Sequence, residues 1–137
     1  AVSMQTGQEH HFSLSQEIDF SAAGYFTHLI AEKMLTKYLP FDVDVLKVDV
    51  PLGATPETRW VVTRQSRRRY YFPIPAKRKF LSDRGPMGYE IRYEPERMEK
   101  DSDVYALMVD KKVSVTPISI DMTSRTDLKA LSTMLEE

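Results

Sequence analysis

The sequence predicts an α/β fold that carries a protruding β-hairpin arm and closes on a C-terminal helix. Three observations lead there. Apolar residues recur at helical spacing from Phe20 to Met34, short β-prone runs follow from Val45 onward, and a final strand and helix pattern closes the chain. Between them, Pro51 to Pro95 holds too many prolines and charges to bury itself well, which marks it as an arm that packs on something else.

The elements read in order as follows. Val2–Met4 reads as the end of a buried strand, and Gly7 to Ser15 is polar loop. Asp19 is placed to cap a helix starting at Phe20, because its carboxylate can accept a free first-turn N–H. Phe20, Ala23, Phe26, Ile30 and Met34 form its stripe, widened by Ala22, Leu29 and Tyr38, over about five turns. The helix is expected to stop before Pro40. Val45–Val50 reads as a strand with Leu46, Val48 and Val50 on one face, ended by Pro51 and Gly53. Arg59–Arg64 reads as a second strand. Tyr70-Tyr71-Phe72 is β-prone until Pro73 and Pro75 break it, Gly85-Pro86 and Gly88 mark a turn, and Tyr89–Tyr93 pairs back as a hairpin. Asp103 is placed to cap a short helix, Val104–Val109. Val113–Thr116 is a strand ended by Pro117. Ser124, with Asp127 in its third position, caps a last helix striped by Leu128, Leu131 and Leu135.

At 137 residues the chain has the length of one domain, and its 42% hydrophobic content is ordinary for a globular protein rather than a disordered one. No run reaches the roughly 18 apolar residues of a membrane span. The opening Ala1–Met4 carries neither a basic n-region nor an apolar signal core; it reads as a strand in mid-fold, so a fragment or processed chain is expected. Cysteine is absent, which excludes thiolate nucleophiles and Cys-based zinc sites and fits a cytoplasmic protein. The net charge is −1, but it is unevenly spread. Residues 59–84 hold nine Lys/Arg against one acid, Asp83, between segments rich in acids. Such a block either pairs with other charges, in this chain or a second copy, or presents an anion-binding surface.

Candidate chemistry is sparse. His10 and His11 are adjacent, so they do not face one way on a helix or a strand, and no convergent ligands accompany them; a loop pair without metal is expected. His28 reads as a satisfied polar position on the first helix. Asp42, Asp44 and Asp49 lack the further ligands of a calcium loop and read as a solvated edge. There is no Gly-rich phosphate loop and no nucleophile elbow. What remains is Arg64, Arg67, Arg68 and Arg69, followed by Tyr70, Tyr71 and Phe72. Arginine makes bidentate contacts to phosphate and aromatic rings stack on bases, so the run suits phosphate or nucleic acid as well as a subunit contact.

These residues also carry a resemblance. Thr63-Arg64-Gln65-Ser66-Arg67-Arg68-Arg69-Tyr70 resembles a signature in the C-terminal half of the SurE family, the stationary-phase survival proteins. Leu46-Lys47-Val48-Asp49-Val50-Pro51 resembles the family's Leu-Asn-Val-Asn-Val-Pro strand, with Lys and Asp in place of both Asn. Asp101-Ser102-Asp103-Val104-Tyr105-Ala106, then Val113-Ser114-Val115-Thr116-Pro117-Ile118, resemble the family's closing motifs, and Asp121-Met122-Thr123 and the last helix follow in order. Ala1-Val2-Ser3 is similar to the end of a central strand of its sheet. Lys111-Lys112 departs from the pattern, where the family often has Gly and an aromatic, and a different turn is expected there.

The resemblance implies a Rossmann-like fold in which residues 1–52 supply the last strands and helix of an α/β nucleotidase domain. Residues 53–100 would be a β-hairpin oligomerisation arm, with Trp60, Arg69, Tyr70, Tyr71 and Phe72 on it. Residues 101–137 would be the closing helix, strand and C-terminal helix. It implies a phosphatase of nucleoside 5′- and 3′-monophosphates that uses a divalent metal, Mg or Mn, and assembles as a homo-oligomer, dimer or tetramer, through an exchanged arm, with no membrane partner. The family takes its metal ligands from an Asn-Asp-Asp-Gly motif, a downstream Ser and a further Asn. This chain has no asparagine and no adjacent Asp pair, so no catalytic or metal residue is assigned in it and it is expected to be inactive alone. Arg64, Arg67 and Arg68 remain as possible phosphate contacts. The rival reading is a small nucleic-acid-binding module using Arg64–Tyr71; the resemblance speaks against nucleic acid.

Overall fold

The computed structural model describes residues 1–11, 17–85 and 88–136. The latter part of the Gly7–Ser15 loop and Pro86 of the Gly85-Pro86 turn lie outside the described residues. The elements are β1 (Val2–Met4), α1 (Ser21–Thr36), β2 (Val45–Val50), β3 (Trp60–Val62), β4 (Tyr71–Ile74), β5 (Gly88–Ile91), α2 (Asp103–Met108), β6 (Val113–Ile118) and α3 (Leu128–Glu136), with short 3₁₀ turns at Gln8–His10 and Pro95–Arg97. The fold is α/β: four strands in the order β1-β2-β6-β3 form one sheet, and β4-β5 form a separate two-stranded ribbon. β1 runs parallel to β2, β6 antiparallel to β2, and β3 parallel to β6.

The alternation of side chains on β2 and β6 sends two kinds of residue to two faces. Val48, Val50, Val113 and Val115 meet Ala22, Phe26 and Ile30 of α1 in the main core, where Phe26 is 1% exposed. Burying a phenylalanine to this degree contributes about 1.5–3 kcal/mol. The intervening residues, Lys47, Asp49, Ser114 and Thr116, are polar. Thr63 Oγ1 hydrogen-bonds Ser114 Oγ at 2.7 Å and Thr116 Oγ1 at 2.8 Å, so this buried hydroxyl cluster is satisfied. A second core of Met98, Val104 and Met108, backed by Tyr70, Ile91, Tyr105 and Leu107, forms around α2.

Several local expectations are corrected. α1 begins at Ser21, with Phe20 at the cap position and no side-chain cap bond; Asp19 Oδ1 instead accepts the Ser21 N–H at 2.8 Å. Phe20 and Tyr38, assigned to the α1 stripe, are exposed; on α1 the core takes in Ala22, Phe26 and Ile30, with Leu29 packed partly buried against it. Val2 of β1 is exposed rather than buried, since among the described residues β1 pairs only with β2. Ser102, not Asp103, caps α2, accepting the Tyr105 N–H at 3.2 Å. Asp127 Oδ1, not Ser124, takes first-turn N–H groups of α3, from Lys129 and Ala130. Pro73 and Pro117 lie within β4 and β6 rather than ending them. Among the described residues β4 has a partner on one side only, which is where a strand tolerates proline. Asp42 and Asp44 are exposed but engaged: Asp42 accepts from Ser119 Oγ at 2.5 Å and Asp44 from the Ile120 N–H at 2.8 Å. Lys111 has a φ of 53°, the left-handed conformation that glycine adopts most easily, which accounts for a glycine preference at this turn.

Candidate functional site

The motif residues that are scattered along the sequence converge at the root of the ribbon. Segment 63–66 lies alongside the start of α2: Arg64 N–H donates to Asp101 O at 3.0 Å, Asp103 N–H to Arg64 O at 2.9 Å, and Arg64 bridges Ser102 in parallel. Asp103 is the junction. Its Oδ1 accepts the N–H groups of Ser66 and Val104, each at 2.8 Å, and its Oδ2 accepts from Lys47 Nζ at 2.5 Å. Lys47 also reaches Asp49 at 3.0 Å, and Asp49 accepts from Ser3 Oγ at 2.8 Å. One ammonium thus joins two carboxylates from strand β2 and helix α2. Burial works to lower the Lys47 pKa, but the hydrogen bonds and charges of Asp103 and Asp49 outweigh it and leave it raised. Ser66 extends the network, donating to Glu99 at 3.0 Å and accepting the Arg68 N–H at 3.0 Å.

This clasp borders a cleft of about 260 Å³ that Ser3, His11, Lys47, Asp49, Tyr70 and Asp103 help to line. Burial pushes the Tyr70 hydroxyl well above its ordinary pKa, helped by Tyr71. His11 approaches the Tyr89 hydroxyl, so it is engaged by the ribbon rather than idle in a loop, while His10 lies 3.7 Å from Glu9. A second cleft, about 330 Å³, is also bordered by Tyr70 and is lined by Arg68, Arg69, Phe72, Arg92, Tyr93, Glu94, Arg97 and Met98. Arg69 and Arg92 both stack on Phe72, their guanidinium carbons 4.5 and 5.3 Å from its ring centroid.

The residues singled out from sequence do not form one site. Arg64 is tied to Asp101 at 2.9 Å, Arg68 faces the second cleft, and Arg67 lines neither cleft. Arg69, Tyr70, Tyr71 and Phe72 lie on or beside the ribbon, but Trp60 lies on β3, paired with Val113 in the main sheet. Because β3 belongs to that sheet, the two-stranded ribbon is narrower than residues 53–100. Sequence reasoning missed Lys47 as the shared partner of Asp49 and Asp103, although the same-face spacing of Lys47 and Asp49 on a strand was a usable signal. It also missed Arg92 and Arg97, which sit in an acid-rich stretch and were hidden by charge counting.

Divalent-metal chemistry requires several oxygen or nitrogen donors turned on one point. Among the described residues no group of three or more His, Asp or Glu could hold a metal ion. Where two carboxylates do converge, at Asp49 and Asp103, the Lys47 ammonium already lies between them. The described residues therefore do not fit a catalytic metal. No helix among them is long and apolar enough to cross a membrane.

No protein-family model matches the chain. It is similar to the 5′-nucleotidase SurE of Thermococcus kodakarensis, 38% identical over 136 residues, covering 98% of this chain and 51% of that protein. The 5′-nucleotidase SurE of Archaeoglobus fulgidus is 39% identical over 125 residues, covering 90% of this chain and 46% of its own length. Among solved structures, the SurE protein from Aquifex aeolicus superposes with a TM-score of 0.60 at 26% identity, covering 100% of this chain and 51% of that one. The chain spans about half the length of the curated relatives it matches, corresponding to their C-terminal half.

Proposed function

The chain belongs to the SurE family over that matched half, and on this premise we propose that it is the structural and oligomerising portion of a nucleoside 5′/3′-monophosphate phosphatase. The identity across nearly the whole chain to proteins named 5′-nucleotidase carries this reading. In it, the sheet and α1 form the side of the nucleotidase domain, and Arg64, Arg67 and Arg68 attract substrate phosphate electrostatically. The divalent metal, Mg or Mn, neutralises phosphate charge when bound; its donors belong to a part of the enzyme that these residues do not supply. The chain alone is then catalytically inactive. Assayed with AMP and Mn²⁺ or Mg²⁺, the purified chain is expected to release no phosphate; metal-dependent turnover that copurifies with it sinks the proposal.

The exposed elements support an assembling role, in a cytoplasmic homo-oligomer. Among the described residues the ribbon pairs with no strand of the main sheet, and Ile74, Phe80 and Leu81 near it are at least half exposed. α3 buries none of its described residues, leaving Leu128, Met134 and Leu135 at 60%, 62% and 73% exposure. Apolar side chains grouped in this way favour a partner surface, and in this reading the partner is a second copy. Light scattering at micromolar concentration is expected to give at least a dimeric mass, and a monomeric mass counts against it.

A further inference from the structure

We propose that the apex of the β4–β5 ribbon, where Phe80 and Leu81 are exposed among Lys77, Arg78, Lys79 and Arg84, docks on the surface of an anionic lipid bilayer. The contact is peripheral: the two apolar side chains enter the headgroup region, and the cations meet lipid anions around them. A surface contact of this kind needs no helix able to cross a bilayer, and none is present among the described residues. It is independent of any hydrolysis by the chain.

The turn at the apex closes without burying its apolar residues. The Asp83 N–H donates to Phe80 O at 3.1 Å, and Asp83 Oδ2 accepts the N–H groups of Lys79 and Phe80 at 3.1 and 2.9 Å. Arg78 Nη1 donates to Leu81 O at 3.2 Å. Each of these bonds uses a backbone group of the turn, so none calls on the side chain of Phe80 or Leu81. Phe80 is 61% exposed and Leu81 87%, and neither joins either hydrophobic core. Two large apolar side chains shown together at a turn gain from leaving water, and a bilayer interface offers that.

Charge selects the occupant. Residues 75–85 hold four Lys/Arg against one acid, Asp83. Lys77, Arg78, Lys79 and Arg84 are all exposed, and none forms an ion pair among the described residues. The Lys79 ammonium lies 5.5 Å from the Phe80 ring centroid, so charge and apolar surface are adjacent. Near an anionic bilayer each Lys or Arg strengthens binding about fivefold. α3 also exposes apolar side chains, but it carries one Lys and one Glu and so lacks the charge that an anionic bilayer selects. A second copy can still take α3 and the ribbon's strands. At the apex, copies meeting tip to tip would set like charges against each other, whereas an anionic bilayer meets the charge and the apolar side chains together.

Co-sedimentation of the whole chain with extruded vesicles, in EDTA so that no metal bridges protein and lipid, tests the contact. One vesicle is phosphatidylcholine alone, and the other has about one phosphatidylglycerol in four lipids. The chain is expected to sediment with the anionic vesicles and not with phosphatidylcholine. Binding should be lost between about 0.1 M and about 1 M NaCl, where the Debye length shrinks from about 10 Å to about 3 Å. K77Q/K79Q should weaken binding about 25-fold, at about fivefold for each cation, and F80S/L81S by at least about tenfold. K100Q/K129Q, outside the ribbon, should change nothing. F80W should add emission that moves to shorter wavelength on anionic vesicles, whereas Trp60, which lies on β3, should show no shift. Circular dichroism of each variant shows that it is folded. A folded wild-type chain that sediments with neither vesicle, or equally with both, overturns the proposal. So does unchanged binding in K77Q/K79Q or in F80S/L81S, or an equal loss in K100Q/K129Q. Binding of a single-stranded oligonucleotide with no binding of vesicles overturns it as well, and marks the apex as a nucleic-acid contact. Failure here leaves the nucleotidase reading intact, and turnover by the isolated chain would refute that reading without touching this one.

Discussion

Replacing Asp103 separates what its charge does from what its shape does. Asp103 is 4% exposed and holds Lys47, the Ser66 N–H and the Val104 N–H. Asp103→Ala removes all three contacts. Orphaning the Ser66 N–H costs about 1–3 kcal/mol. Orphaning a fully buried charge would cost about 3–5 kcal/mol, but Lys47 is 34% exposed and keeps Asp49 at 3.0 Å, so this part is discounted to about 1–2 kcal/mol. The expected total for Asp103→Ala is about 2–5 kcal/mol. Asp103→Asn keeps an oxygen for both N–H groups but replaces the charged acceptor of Lys47 with an NH2, so about 1–2 kcal/mol is expected. Urea denaturation followed by circular dichroism reads both. The clasp is refuted if both variants lie within about 0.5 kcal/mol of the wild type. Equal losses for Ala and Asn would refute the division between charge and hydrogen bonding.

Two further outcomes follow from the same geometry. Tyr70 and Lys47 both have raised pKa values in the fold, so each holds its proton more tightly folded than unfolded. Their stabilisation is complete below about pH 10, the unfolded range, and is lost as pH rises through the folded values. Thermal melts between about pH 8 and 12 should therefore fall less steeply for Tyr70→Phe than for the wild type; parallel curves would exclude Tyr70 as a contributor. Lys111→Gly should raise stability by up to about 1 kcal/mol, because glycine adopts the φ of 53° without the steric cost of a Cβ. A lower melting temperature would show that the Lys111 side chain contributes more than its backbone costs.

Much was legible because it is local. The α1 period, the β2 alternation and the ribbon's second strand rest on spacing between near neighbours, and spacing is written in the sequence. Cap identities were less legible. Ser102 and Asp103 are both competent caps, and only the pull of Lys47 and Ser66 on Asp103 decides that Ser102 takes the α2 N–H. Pro73 and Pro117 misled for a related reason. A proline ends a strand only if its missing N–H is needed there, and that depends on neighbours far along the chain.

The sequence alone determined the α/β class, the basic-aromatic run and, through its motifs, the family. Such features depend on residue order and local period. Only the tertiary structure decided which charges meet. Lys47 and Asp103 lie 56 positions apart yet stand at 2.5 Å, and Arg69 and Arg92 converge on one ring. Pairings of that kind are set by strand register and by how the ribbon turns back on itself. Charge counts along a chain do not record either one.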